Sequence, residues 1–285
     1  HLERVAAQHP DFEETLTELG MCHLQVEDFP SAEKIFKQAI EQSPHDPTPF
    51  FGMGQVAMRQ GRTNLAQGLL GHSQELQQQA DTLNVYAEMV KTRPQAPQAH
   101  YNLAVRLARF GRYRQAESHY RYALNIDSTY VLPYEGLGNL FQRQKKMDEA
   151  IVFFRQALQR DSTLAEVHNN LGLIYHRQGD LDAAVNAYQN AIRHNSNRSF
   201  FYSNLGNAYR DLRKSEEAAA AAQKALSIDP QLLGARDLMG DVQAMRGDVK
   251  GAISTWRQLL TEYPDNKALD GKIKKAQELL SSGKL

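Results

Sequence analysis

The chain has 285 residues, with 33 basic and 33 acidic side chains and a formal net charge of zero. That balance disfavours nucleic acid as a partner, because phosphate binding needs a surplus of Lys and Arg. A single cysteine, Cys22, excludes an internal disulfide, and no apolar run approaches the ~20 residues of a membrane-spanning helix.

Residues 1–12 carry Pro10 where a preceding repeat would end, and they read as the end of a truncated repeat. Residues 13–80 read as two units of 34, marked by Leu19-Gly20, Ala32, Phe36, Ala39 and Pro44, then by Gly54, Gly61, Ala66 and Leu70. Cys22 stands between Met21 and His23 with no ligand cluster around it, and a buried or half-buried thiol is expected. Sixteen residues, 81–96, then break the register. Across them Leu69, Leu76, Leu83 and Val90 recur every seventh position, with Ser73, Ala80 and Ala87 between. That stripe predicts one helix from about Thr63 to Thr92, roughly 45 Å long at 1.5 Å per residue. The alternative is a break at Asp81, a good N-cap residue, followed by a short helix.

Residues 97–266 hold five units in strict register. Leu103-Ala104, Leu137-Gly138, Leu171-Gly172, Leu205-Gly206 and Met239-Gly240 follow one another at 34 residues. Ala116, Ala150, Ala184, Ala218 and Ala252 keep the same period, as do Ala123, Ala157, Ala191, Ala225 and Leu259. Each unit carries two helical apolar patterns; in the first, Leu171 and Tyr175 lie at i and i+4 on one face. Such a pair cannot bury both faces alone, so neighbours must stack on it. Pro44, Pro230 and Pro264 sit where a second helix stops. Residues 267–285 read as a capping helix, with Leu269, Ile273, Ala276 and Leu280 inward and Lys272, Lys274 and Lys275 on an outer polar face.

Period and motif together resemble the tetratricopeptide repeat family. The fullest match is 165–198, with His168, Leu171, Gly172, Tyr175, Gly179, Ala184, Tyr188 and Ala191. Unit 131–164 departs at Lys145, where the motif has glycine, and unit 199–232 at Ala222, where it has an aromatic. The resemblance implies an all-α, right-handed superhelical solenoid of about seven antiparallel helix pairs, ending in the capping helix. Its first helices would line a concave groove for a protein or peptide.

On that face the resemblance nominates Asn102, Asn139, Asn170, Asn204 and Asn207, whose amides both donate and accept. Their spacing is similar to the asparagine ladder of O-linked N-acetylglucosamine transferase; bridging between adjacent helices is the competing use. Arg59, Arg109, Arg143 and Arg177 recur once per unit, with His176 and Arg210 beside that line, and could hold carboxylates or phosphates. Tyr101 adds apolar contact, although core packing is its competing use. Asp237 and Asp241 are expected to turn the groove acidic at its C-terminal end. A carboxylate clamp of the chaperone-binding type is disfavoured: the aligned positions hold Glu135, Asn139, Asn170, Phe200 and Asn204, without the cations. No catalytic, metal or cofactor constellation is found. His100 and His168 take the bulky repeat position and are expected to pack. The function expected is a non-catalytic scaffold or adaptor binding an extended protein segment. A self-assembling homo-oligomeric scaffold and the recognition arm of a larger enzyme such as a glycosyltransferase are the alternatives.

Overall fold

The computed structural model describes residues 13–282, and the expectation for 1–12 lies outside them. Fifteen α-helices and no strand occur among the described residues. They are α1 (Glu13–Gln25), α2 (Phe29–Gln42), α3 (Pro47–Arg59), α4 (Thr63–Thr92), α5 (Pro97–Arg109), α6 (Tyr113–Ile126), α7 (Leu132–Arg143), α8 (Met147–Arg160), α9 (Ala165–Gln178), α10 (Leu181–His194), α11 (Ser199–Asp211), α12 (Ser215–Ile228), α13 (Leu233–Met245), α14 (Val249–Glu262) and α15 (Lys267–Ser281). Two compact units divide between His119 and Tyr120.

The turn inside each helix pair is set by one backbone position. Glu27, Gly61, Gly111, Lys145, Gly179, Arg213 and Gly247 all have positive φ, between 60° and 86°. They fall 34 residues apart, except that sixteen more intervene between Gly61 and Gly111. Glycine adopts this left-handed conformation freely, whereas Glu27, Lys145 and Arg213 hold it at a steric cost. The residue after the turn caps the second helix where it is an aspartate. Asp28, Asp180 and Asp248 accept from the backbone N–H of Ser31, Ala183 and Gly251 at 3.3, 3.1 and 2.9 Å. Between units, Asp127, Asp161, Asn195 and Asp229 each accept from the backbone N–H two residues on, at 2.8–3.2 Å.

Close helix approach follows from small residues meeting large ones. A Cβ on Gly172 would lie 2.6 Å from the Tyr188 ring, one on Gly138 2.4 Å from Phe154, and one on Gly240 2.4 Å from Trp256. In the unit with Ala222 the aromatic is absent, and Leu238 from the next first helix fills the space instead, 2.5 Å from a Cβ on Gly206. Second helices also pack on the following first helix: α2 on α3 and α4 on α5 in the first compact unit, and α8 on α9, α10 on α11, α12 on α13 and α14 on α15 in the second. Leu24, Ala32, Phe36 and Val56 centre the core of residues 13–119; in 120–282 successive cores run through Tyr188, Leu238 and Trp256.

Residues 63–92 form one continuous helix, and Asp81 lies inside it, accepting from the Gln77 amide at 2.9 Å. Ala66, Ser73, Leu76 and Leu83 are its buried side chains, and the Ser73 hydroxyl donates to the Pro47 carbonyl at 2.7 Å. Two sequence expectations fail. Cys22 is exposed, because its neighbours Met21 and Leu24 supply the inward face of α1. Lys272 does not belong to the outer face of α15. It turns toward α13, where two aspartates receive its charge.

Candidate functional site

In residues 120–282 the first helices α7, α9, α11 and α13, followed by α15, are joined along one face by polar side chains. The Asn170 amide donates to Asn139 Oδ1 at 2.9 Å, and the Asn204 amide donates to Asn169 Oδ1 at 2.8 Å. The bridging use of asparagine is therefore the one observed here. Asn207 donates to the Ser203 carbonyl of its own helix at 3.0 Å. Asn169 is 3% exposed, and its position beside Asn170 in the first helix is the signal that sequence reasoning passed over.

Glu135 is half-buried on α7 at one end of this face. Burial raises its pKa above the ordinary carboxylate value, and the charge of Glu166 raises it further, against a lowering hydrogen bond with Asn139. Beyond the asparagines the face becomes a chain of ion pairs. His176 Nε2 lies 2.8 Å from Asp211 Oδ2; Arg210 donates to Asp211 at 2.9 Å and to Asp241 at 2.8 Å. Lys272 then donates to Asp241 at 2.6 Å and to Asp237 at 2.7 Å. Burial acts to raise the Asp211 pKa, and the hydrogen bonds from Arg210 and His176 outweigh it and hold the carboxyl below its usual value. The expected acidic end of the groove does not form, because Arg210 and Lys272 take up Asp237 and Asp241.

Five of the nominated residues converge. His176, Arg177, Asn204, Asn207 and Arg210 line one cleft of ≈ 400 Å³ together with Leu173 and Tyr188. Arg177 is exposed and makes no ion pair among the described residues. Tyr188 is fully buried, and its hydroxyl has no hydrogen-bond partner among the described residues. Burial pushes that phenol far above its ordinary pKa, against the opposing charge of Arg177, so the hydroxyl keeps its proton and remains a donor. Asn139 and Asn170 lie next along the face. Arg143, exposed at the end of α7, does not line the cleft. Tyr101, Asn102, Arg59 and Arg109 belong to residues 13–119. There Tyr101 and Asn102 are half-buried, Arg109 is exposed, and Arg59 donates to the Leu24 carbonyl at 3.1 Å. Of the bulky histidines, His100 packs as expected, 5% exposed with its Nε2 3.1 Å from the Pro94 carbonyl, while His168 is half-buried, its Nε2 3.0 Å from the Ser162 carbonyl and its ring stacked on His194.

Two tetratricopeptide repeat families match the chain, one over residues 130–197 and 163–231, the other over 75–130 and 204–267. No curated protein matches it in sequence. Among solved structures it is similar to YrrB, described as a tetratricopeptide protein with an unusual peptide-binding site. That match has 20% identity and a TM-score of 0.56, over 67% of this chain and 97% of that one. It is similar to MamA at 21% identity and a TM-score of 0.52, over 66% and 96% of the two chains. The Cut9–Hcn1 tetramer of the APC/C matches at 17% identity and a TM-score of 0.51, over 85% of this chain and 45% of that one. At these identities the likeness establishes the fold.

Proposed function

This chain belongs to the tetratricopeptide repeat family, and from that premise we propose that it is a non-catalytic scaffold holding an extended protein segment along the first-helix face of residues 120–282. The observation that carries the reading is the convergence of Arg177, Asn204, Asn207 and Arg210 on one cleft walled by Tyr188. The Asn207 amide offers a donor to a carbonyl or carboxylate oxygen of a bound segment. Arg177 supplies a guanidinium for the same oxygen-rich chemistry. The relation to YrrB supports the reading, since that protein is described as binding a peptide.

Asn170 and Asn204 are poor positions to mutate for a binding test, because each bridges two helices. Arg177 is exposed, and the Asn207 amide bonds only within its own helix. Selection of a displayed library of unstructured peptides against the chain should enrich sequences that the Arg177→Ala/Asn207→Ala variant no longer binds, with its melting unchanged. Peptides that bind both forms equally, or no enrichment at all, would overturn the reading. Recovery of dimers of the chain alone would also overturn it, in favour of self-assembly.

A further inference from the structure

Where α15 closes the array, a second cleft of ≈ 790 Å³ opens among residues 210–279. It is larger than the first, and its volume lies in the range that holds ligands, roughly 300–1,000 Å³. Met245, Val249, Trp256, Ala276 and Leu279 give it an apolar floor. Leu279 is 39% exposed there and Trp256 only 4%. Four cations, Arg210, Arg213, Lys272 and Lys275, line the cleft against two carboxylates, Asp211 and Asp241. Both carboxylates are taken: Asp211 by Arg210 and His176, Asp241 by Arg210 and Lys272. Arg213 and Lys275 are exposed and make no ion pair among the described residues, so the wall above the apolar floor carries uncompensated positive charge.

We propose that this cleft anchors a short stretch of a partner protein in which a large apolar side chain is flanked by acidic residues. The apolar side chain sits against Trp256 and Leu279, while the flanking carboxylates meet Arg213 and Lys275. Charge complementarity fixes the choice of occupant, since a basic or neutral segment would leave both cations unmatched. The inference rests on the proposal that this face holds a protein segment, and it adds the chemistry of that segment. Sequence reasoning had no access to it, because Lys272 and Lys275 share α15 with the outward Lys274 and only the packed geometry separates them.

Trp256 is the sole tryptophan of the chain, so its emission reports on the cleft directly. Three synthetic peptides serve as probes: one with leucine and phenylalanine between aspartates and glutamates, one with those apolar residues changed to alanine, and one with the acids changed to lysine. The first should give a saturable change in Trp256 emission that weakens with salt. Arg213→Asn combined with Lys275→Glu should weaken it at least ~10-fold, the scale of one or two charge-assisted contacts. Lys224→Glu, an exposed charge elsewhere in the same unit, should leave it unchanged. Equal responses to all three peptides, no saturable response up to about 1 mM, or an undiminished response in the double variant would overturn the proposal. The first-cleft variant Arg177→Ala/Asn207→Ala separates the two readings. Peptide binding lost in that variant, with no Trp256 response to the acidic peptide, would keep the groove and discard this anchor.

Discussion

Gly172 shows how little freedom a single repeat position has. Its missing side chain is occupied by the Tyr188 ring, 2.6 Å from where a Cβ would stand. Gly172→Ala should therefore destabilise the protein by about 1–3 kcal/mol, the usual cost of overpacking. Gly68, in α4, faces open space, and Gly68→Ala should stabilise by roughly 0.5–1 kcal/mol through helix propensity. Denaturant midpoints of the two variants check both signs. The first site was legible because leucine-glycine recurs in register with an aromatic sixteen residues on. The asparagines were only half legible. Asn139, Asn170 and Asn204 could be nominated by position, but whether an amide faces a ligand or the neighbouring helix depends on the helix spacing, and Asn169 took the buried place. Lys272 misled for a related reason: a polar stripe on a terminal helix looks like solvent-facing charge until Asp237 and Asp241 are found opposite it.

At the scale of the element, the turn inside each pair demands a left-handed residue whether or not the sequence supplies glycine. Lys145 marks a departure from the motif in the sequence, yet its φ of 62° follows its glycine counterparts. Tertiary packing of α7 against α8 overrides the local preference. Lys145→Gly should relieve strain and raise stability by about 1 kcal/mol, and Gly179→Lys, at the equivalent turn, should lose a similar amount. Thermal melts of the two variants test the pair, and equal melting in both would refute the strain. The long helix α4 was legible because its apolar stripe persists across 81–92 without Gly or Pro, until Pro94 stops it. The cap asparagines and aspartates between units repeat just as regularly, but their meaning depends on backbone hydrogen bonds that a side-chain pattern does not display.

At the scale of the whole molecule, pH acts through packed histidines. In residues 13–119, His100 Nδ1 lies 3.0 Å from His119 Nδ1, so one ring must donate and the other accept. Burial first, and the charge of His100 second, hold the His119 pKa below its ordinary 6.5. Burial does the same to His45, helped by Arg112, and to His168, against a raising bond to the Ser162 carbonyl. An unfolded histidine binds its proton more readily than these folded ones, so stability is full above about pH 6.5 and falls as pH drops through and below that value. Glu135, raised by burial and Glu166, acts in the opposite sense. The histidine part is therefore read as a difference: between about pH 7.5 and 5.5, His119→Phe should show a shallower fall in melting temperature than the parent chain. An identical fall would remove His119 from the account.

Repeat count, helix pairing and the long helix followed from periodicity. The charge pattern of the interaction face did not, because pairing between elements cancels some charges and leaves others exposed. The central claim is that the first-helix face of residues 120–282 holds a protein segment through Arg177 and Asn207. Calorimetric titration of a library-selected peptide into the parent chain and into the Arg177→Ala/Asn207→Ala variant tests it most directly. The account predicts a dissociation constant at least ~10-fold weaker in the variant, the sum expected from one charged and one neutral hydrogen bond, with unchanged melting. Equal dissociation constants would place the binding surface elsewhere and contradict the account.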